Sequence, residues 1–242
     1  MKIQVDKTQL VSFISRTQNI VEKRNTMPVL VNVLLEAKGN KLRVFATNLE
    51  VSLTDECDAE VLTPGKAAVS AKSLFDIIKE LPEGPLQLAK QENNWLKITQ
   101  GTSVFNLVGI SPEEYPVFPT HTVKDFMEVD ASSFADMIAK TIYSVSTDET
   151  RYHLNGVYFE RQDNKNNSGY IMVATDGHRL SLVNRSTAEK SDGANGVIIP
   201  RRGLAEIYKV LEHSEGKFKM AVEGAQLIVS RGNTTLMVRL IE

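Results

Sequence analysis

The chain has 242 residues, 42% hydrophobic and 24% charged, and its 28 Lys and Arg against 30 Asp and Glu leave a formal net charge of −2. That balance argues against a polybasic tail or a uniformly basic nucleic-acid binder, and the length suffices for two domains of about 100–150 residues. A lone Cys57 cannot close an intramolecular disulfide, and no stretch reads as a signal peptide or as an apolar span of about 20 residues, so the expectation is a cytoplasmic protein without membrane contact.

In chain order, the first amphipathic helix is marked by Leu10, Phe13, Ile14 and Thr17, with Asp6 placed as its N-cap. Period-two runs follow at Leu42-Val44-Ala46 and Val51-Leu53, then a second helix at Leu74, Ile77, Ile78 and Leu81 with Ser70 as cap. Strands are expected at Leu86-Leu88, Leu96-Ile98 and Phe105-Leu107, and the segment from Tyr115 to Val123, with Pro116 and Pro119, reads as an interdomain connection. Beyond it the pattern returns. Phe134, Met137, Ile138 and Thr141 repeat the first stripe at an offset of 124, with Asp130 as cap, and strands follow at Val157-Phe159, Ile171-Val173 and Leu180-Leu182. Leu204, Ile207, Tyr208 and Leu211 form a fourth helix behind Pro200, and Phe218-Met220 and Leu236-Val238 close the chain.

Residues 1–110 thus lie over residues 126–242, and the helix spacing halves the repeat again. The fold class read from this is α+β, in two tandem domains at 1–120 and 124–242. Each is a duplicated β-α-β-β-β unit with two helices on antiparallel sheets. Copies joined edge to edge would curve into a ring with helices inside and sheets outside, a closed answer to the problem of unpaired edges.

Catalytic and metal-binding signatures are missing: no phosphate-cradling glycine loop, no Cys pairs at zinc spacing, no nucleophile elbow, and no cofactor is expected. Asp176 and His178 invite a reading as a dyad, which would make the chain a duplicated enzyme. Asp176-Gly177 is equally a good hairpin turn, and the first copy has Asn48 and Glu50 at those places. Basic residues are read at the helix starts: Lys7 and Arg16, Lys72, then Arg201 and Arg202, with Lys23 and Arg24 in the loop after the first helix. Lys72 and Arg202 are repeat partners. On a ring they would face one central space and meet phosphates without reading bases, while the plainer reading is a solvated helix surface or a protein-only scaffold.

Four runs, Arg24-x-x-x-Pro28-x-Leu30, Arg151-Tyr152-x-Leu154-Asn155-Gly156, Ala174 to Leu180, and Ile199-Pro200-Arg201-Arg202-Gly203, resemble the bacterial sliding clamp, the beta subunit of DNA polymerase III. The resemblance spans the chain. It implies a non-catalytic processivity factor that encircles duplex DNA, tethers the replicative polymerase, and is placed by an ATP-driven clamp loader. It also implies three domain copies per chain in a head-to-tail homodimer, of which the third is absent from these residues, and Phe105 and Leu107 as part of the inter-subunit edge. By motif match the DNA-facing residues are Arg24, Lys72, Tyr152, Arg201 and Arg202. Leu154, Thr175, Gly177, His178, Arg179 and Leu180 form one wall of a pocket for hydrophobic partner peptides, with the leucines as its apolar floor. His153 stands where an aromatic is frequent, and Asp148 places an acid in the inner loop. With half the pocket wall missing, peptide binding by these residues alone is expected to be weak or undetectable.

Overall fold

A computed structural model of the chain describes residues 1–21, 27–164, 167–187, 196–212 and 215–242, with backbone alone at 163, 164 and 167. The readings made for Lys23 and Arg24 lie outside the described residues. Two units emerge, residues 1–119 with 233–235 and residues 120–232 with 236–242.

The first unit runs β1 (Lys2–Asp6), α1 (Lys7–Ser15), β2 (Asn32–Lys38), β3 (Lys41–Thr47), β4 (Val51–Asp58), β5 (Glu60–Thr63), β6 (Gly65–Ser70), α2 (Ala71–Glu80), β7 (Pro85–Lys90), β8 (Leu96–Gln100), β9 (Ser103–Leu107) and β10 (Gly109–Ile110). Its strands pair antiparallel in the orders β5-β1-β7-β8-β9 and β10-β6-β2-β3-β4. The second unit runs β11 (Met127–Asp130), α3 (Ala131–Ala139), β12 (Gly156–Asn164), β13 (Asn167–Thr175), β14 (Leu180–Thr187), β15 (Val197–Pro200), α4 (Arg201–Leu211), β16 (Lys217–Glu223), β17 (Gln226–Arg231) and β18 (Thr234–Arg239). Here the orders are β14-β13-β12-β15 and β18-β17-β16-β11. Strand, helix and three strands therefore recur four times, with β5 and β10 as additions, which is the expected α+β plan.

Local chemistry explains where the helices begin. The carboxylates of Asp6 and Asp130 accept from the backbone N–H groups of Gln9 and Ser133, and the Ser70 hydroxyl accepts from Ser73. These contacts occupy donors a first turn otherwise leaves open. Each stripe is buried: Leu10, Phe13 and Ile14 on α1, Leu74 and Ile78 on α2, Phe134, Met137 and Ile138 on α3, Leu204, Ile207 and Leu211 on α4. Phe134 shows what the stripe does, since its ring lies edge-on to Phe159 of β12 and to Phe218 of β16, one contact with each sheet of the unit. Burying each such ring contributes about 1.5–3 kcal/mol. The buried threonines that close the two repeated stripes satisfy themselves locally. Thr17 donates to the Ile14 carbonyl at 2.7 Å and Thr141 to the Met137 carbonyl at 2.8 Å.

Four readings need correction. The Tyr115–Val123 segment is more than a connection, because Tyr115 is buried with Leu34 and Ala68, donates its hydroxyl to the Phe45 carbonyl at 3.1 Å, and is followed by Phe118 edge-on to Phe45. The buried face of β13 is Tyr170, Met172 and Ala174, not Ile171 and Val173. On β14 the inversion is complete: Leu180 and Leu182 are 64% and 58% exposed, while Ser181 and Val183 point inward. The inward Ser181 is satisfied there by a buried contact at 2.6 Å with the Ser144 hydroxyl, which suits this parity of the strand. Finally, Arg16 follows α1 rather than starting it, and its guanidinium lies 2.5 Å from Asp55, a carboxylate almost wholly buried. That burial raises the Asp55 pKa, and the Arg16 charge opposes the rise.

Candidate functional site

Between β13 and β14 the chain turns through Thr175-Asp176-Gly177-His178-Arg179, held by the side chains of Thr175, Asp176 and Arg179. The Thr175 hydroxyl accepts from Gly177 N–H at 3.1 Å and donates to the Arg179 carbonyl at 2.7 Å. One oxygen of Asp176 accepts from the backbone N–H groups of His178 and Arg179, both at 3.0 Å, and the other accepts from Arg179 Nε at 3.0 Å. Gly177 sits at φ +89°, a conformation that favours glycine. The two backbone donors, ahead of the Arg179 charge, hold the Asp176 pKa down at about 2. A carboxylate so engaged is a poor general base at neutral pH, and the Asp176–His178 hydrogen bond runs through the backbone N–H, not the imidazole. The turn reading accounts for both residues. No group of His, Cys, Asp and Glu fit to hold a metal occurs among the described residues.

Arg179 extends from this turn to donate to the Tyr143 carbonyl at 2.6 Å, with its guanidinium over the Tyr143 ring. Together with Val145, Ser146, Thr147, Asp148, Arg151, Asp176, His178 and Arg201 they line a cleft of about 430 Å³. Of the expected site residues, His178, Arg179 and Arg201 meet here, although the first two were assigned to a peptide wall and the third to DNA. Thr175, Gly177 and Leu180 belong to the same turn and the strand it starts, and Leu154 lies half-buried in the short 3₁₀ turn Tyr152–Leu154, where Tyr152 is 59% exposed. Sequence reasoning missed Tyr143, Asp148 and Arg151 as members of the cleft. Arg151 was visible only as the first residue of a matched run.

The basic residues are not equivalent. Lys7 pairs with Glu83 at 2.8 Å, Arg16 with Asp55, and Lys72 with Asp76 one turn along α2. Arg201, exposed at the first position of α4, has no carboxylate partner among the described residues. Arg202 follows it, half-buried, at the helix position that Lys72 holds in α2. In the first unit β9 is the terminal strand of its sheet and pairs only with β8 among the described residues, leaving Phe105 40% exposed and Leu107 half-buried.

The chain matches two adjoining family descriptions: DNA polymerase III beta subunit, N-terminal domain, over residues 1–119, and its central domain over residues 128–242. A beta sliding clamp of Caulobacter vibrioides is 32% identical across the whole chain, and one of Rickettsia bellii is 35% identical over 89% of it. The chain spans 66% and 55% of the lengths of these relatives. The crystal structure of a DNA polymerase sliding clamp from Caulobacter crescentus superposes over 100% of the chain and 66% of its own, with a TM-score of 0.94 at 32% identity. With both family descriptions covering nearly all of its length, the chain belongs to the DNA polymerase III beta subunit family, the beta sliding clamps.

Proposed function

We propose that the chain supplies two modules of a non-catalytic clamp that encircles duplex DNA without reading its sequence and tethers DNA polymerase III. The observation that carries this reading is the fourfold β-α-β-β-β plan, matched by the family over both units. In it Arg24, Lys72, Tyr152, Arg201 and Arg202 meet the phosphate backbone. Leu154 and the 175–180 turn receive hydrophobic peptide motifs of the polymerase and the clamp loader, and Phe105 and Leu107 lie at the head-to-tail homodimer edge. The exposed Leu180 suits a pocket floor better than a core position, which supports its assignment to a partner surface. A cytoplasmic setting is consistent with the described residues, in which no helix is long and apolar enough to cross a membrane.

Among the DNA contacts Arg201 carries the most weight, because its charge is not already spent on a carboxylate. Lys72 shares its charge with Asp76, but an exposed pair of this kind contributes only about 0–1 kcal/mol and exchanges readily for a phosphate. Binding to a short duplex, followed by fluorescence anisotropy as salt rises, tests the assignment. Each phosphate contact adds about 0.9 to the log-log slope, so replacing Arg201 and Arg202 together by Ala should flatten it by up to about 1.8. An unchanged slope removes both from the interface, and no salt-sensitive affinity at all favours the protein-only scaffold.

A further inference from the structure

Two turns of the second unit that carry different sets of candidate contacts are fastened together by one side chain. The first spans residues 146–155 and bears Tyr152 and Leu154. It is closed by the Ser146 N–H donating to the Leu154 carbonyl at 2.9 Å, and braced inside by Asp148, which accepts from the Thr150 N–H at 3.0 Å and its hydroxyl at 2.6 Å. The second is the Thr175–Arg179 turn. Arg151 belongs to the first, with its Nε 3.6 Å from Asp148 Oδ2, and its Nη1 donates to the Asp176 carbonyl at 3.4 Å. Among the described residues this is the only hydrogen bond between the two turns. The same Nη1 lies 3.1 Å from the place a Cβ on Gly177 would take, so the guanidinium rests against bare backbone.

We propose that Arg151 is a positioning residue that couples the two turns, so that a displacement at residues 175–179 is felt at the turn carrying Tyr152. A planar fork serves two fixed directions at once, its charge toward the Asp148 carboxylate and its Nη1 donating to the Asp176 carbonyl, which the point charge of a lysine cannot reproduce. Gly177 is part of the device, since a Cβ there would stand 3.1 Å from Nη1 and crowd the fork. Under the clamp reading, peptide contact at His178 and Arg179 and phosphate contact at Tyr152 are then linked rather than independent. That consequence rests on the proposed function; the coupling itself does not.

Hydrogen exchange in a mutant cycle tests it on the free chain. The amides to follow are Arg151, Leu154 and Asn155, which donate to the carbonyls of Asp148, Arg151 and Tyr152. In the native background Gly177→Ala should accelerate their exchange roughly fivefold, the scale of one modest local hydrogen bond lost. In an Arg151→Ala background the same change should add nothing, because the link is already cut. Arg151→Lys should lie between. Amides of β16 and β17 report global unfolding, which the strain of Ala at φ +89° accelerates in both backgrounds, so exchange at residues 151, 154 and 155 is read relative to theirs. Equal acceleration in both backgrounds, or none in the native one, overturns the proposal. A failure of the DNA reading shows up in the salt slope and leaves this cycle untouched.

Discussion

The turn from β3 to β4 and the turn from β13 to β14 are built on one plan and put to different uses. In the first, Leu49 N–H donates to the Thr47 hydroxyl at 3.0 Å, Asn48 Oδ1 accepts from Glu50 and Val51 at 3.0 and 2.8 Å, and the Thr47 hydroxyl donates to the Val51 carbonyl at 3.3 Å. Thr175, Asp176 and Arg179 make the same four bonds with Gly177 and His178 in the intervening places. Both turns bring their third residue to positive φ, +76° at Leu49 and +89° at Gly177. Whatever the two share is what it takes to reverse the chain. Whatever only the second has, a charge at Asp176, its ion pair with Arg179, and the reach of Arg179 to Tyr143, is not needed to reverse the chain and is where function should be sought.

The sharpest way to break the comparison is to remove the shared acceptor. Asn48 is buried, and Asn48→Ala strands the N–H groups of Glu50 and Val51 without an acceptor, the latter in a buried position. The expected loss is about 2 kcal/mol of stability by urea denaturation. Asp176→Ala should cost distinctly less, because its turn is open and water can replace the carboxylate. If the two losses were equal, the second turn would be as much part of the scaffold as the first.

A subtler difference is charge, and it can be read through pH. Because Asp176 titrates at about 2 in the folded chain, below its ordinary value near 4, its ionised form favours the folded state. Stability from this group is fully present above the ordinary carboxylate pKa and is lost as pH falls toward about 2. Asp176→Asn keeps an oxygen acceptor for His178 and Arg179 but cannot titrate, so its stability should fall less steeply than the native chain's between pH 4 and 2. Other lowered carboxylates, Asp76, Asp136 and Asp148 among them, keep the remaining acid sensitivity in both proteins. Identical slopes would mean that Asp176 gains nothing from its ionised state.

The same contrast shows which parts of the molecule are legible from residues alone. Caps and helix stripes are local, so Asp6, Ser70 and Asp130 and the four periodic faces are visible without a structure. Strand parity is not local when both parities are apolar. Tyr170, Met172 and Ala174 compete with Ile171 and Val173, and what distinguishes the inward set is contact with distant residues: Tyr170 stacks on Phe159, and Met172 meets the Thr141 hydroxyl across 31 residues of chain. The cleft follows the same rule. The turn at Asp176 is readable from its own sequence, whereas Arg151, 25 residues away from the carbonyl it meets, is not. Ion pairs such as Arg16 with Asp55 likewise join residues 39 apart, and a census of basic residues cannot tell a spent charge from a free one.

The smallest expected effect concerns the strain that the first turn retains. A side chain in the left-handed region costs about 1–2 kcal/mol, which Gly177 avoids and Leu49 does not. Leu49 is half-exposed, so its side chain returns little by burial. Leu49→Gly should therefore relieve the strain, offset by about 0.5–1 kcal/mol from the greater freedom of glycine in the unfolded chain. A net gain of about 0.5 kcal/mol, seen as a higher urea midpoint at unchanged slope, is the expected outcome. A loss instead would show that the Leu49 side chain is held by something worth more than the strain, and the first turn would then join the second as a place to look for a partner.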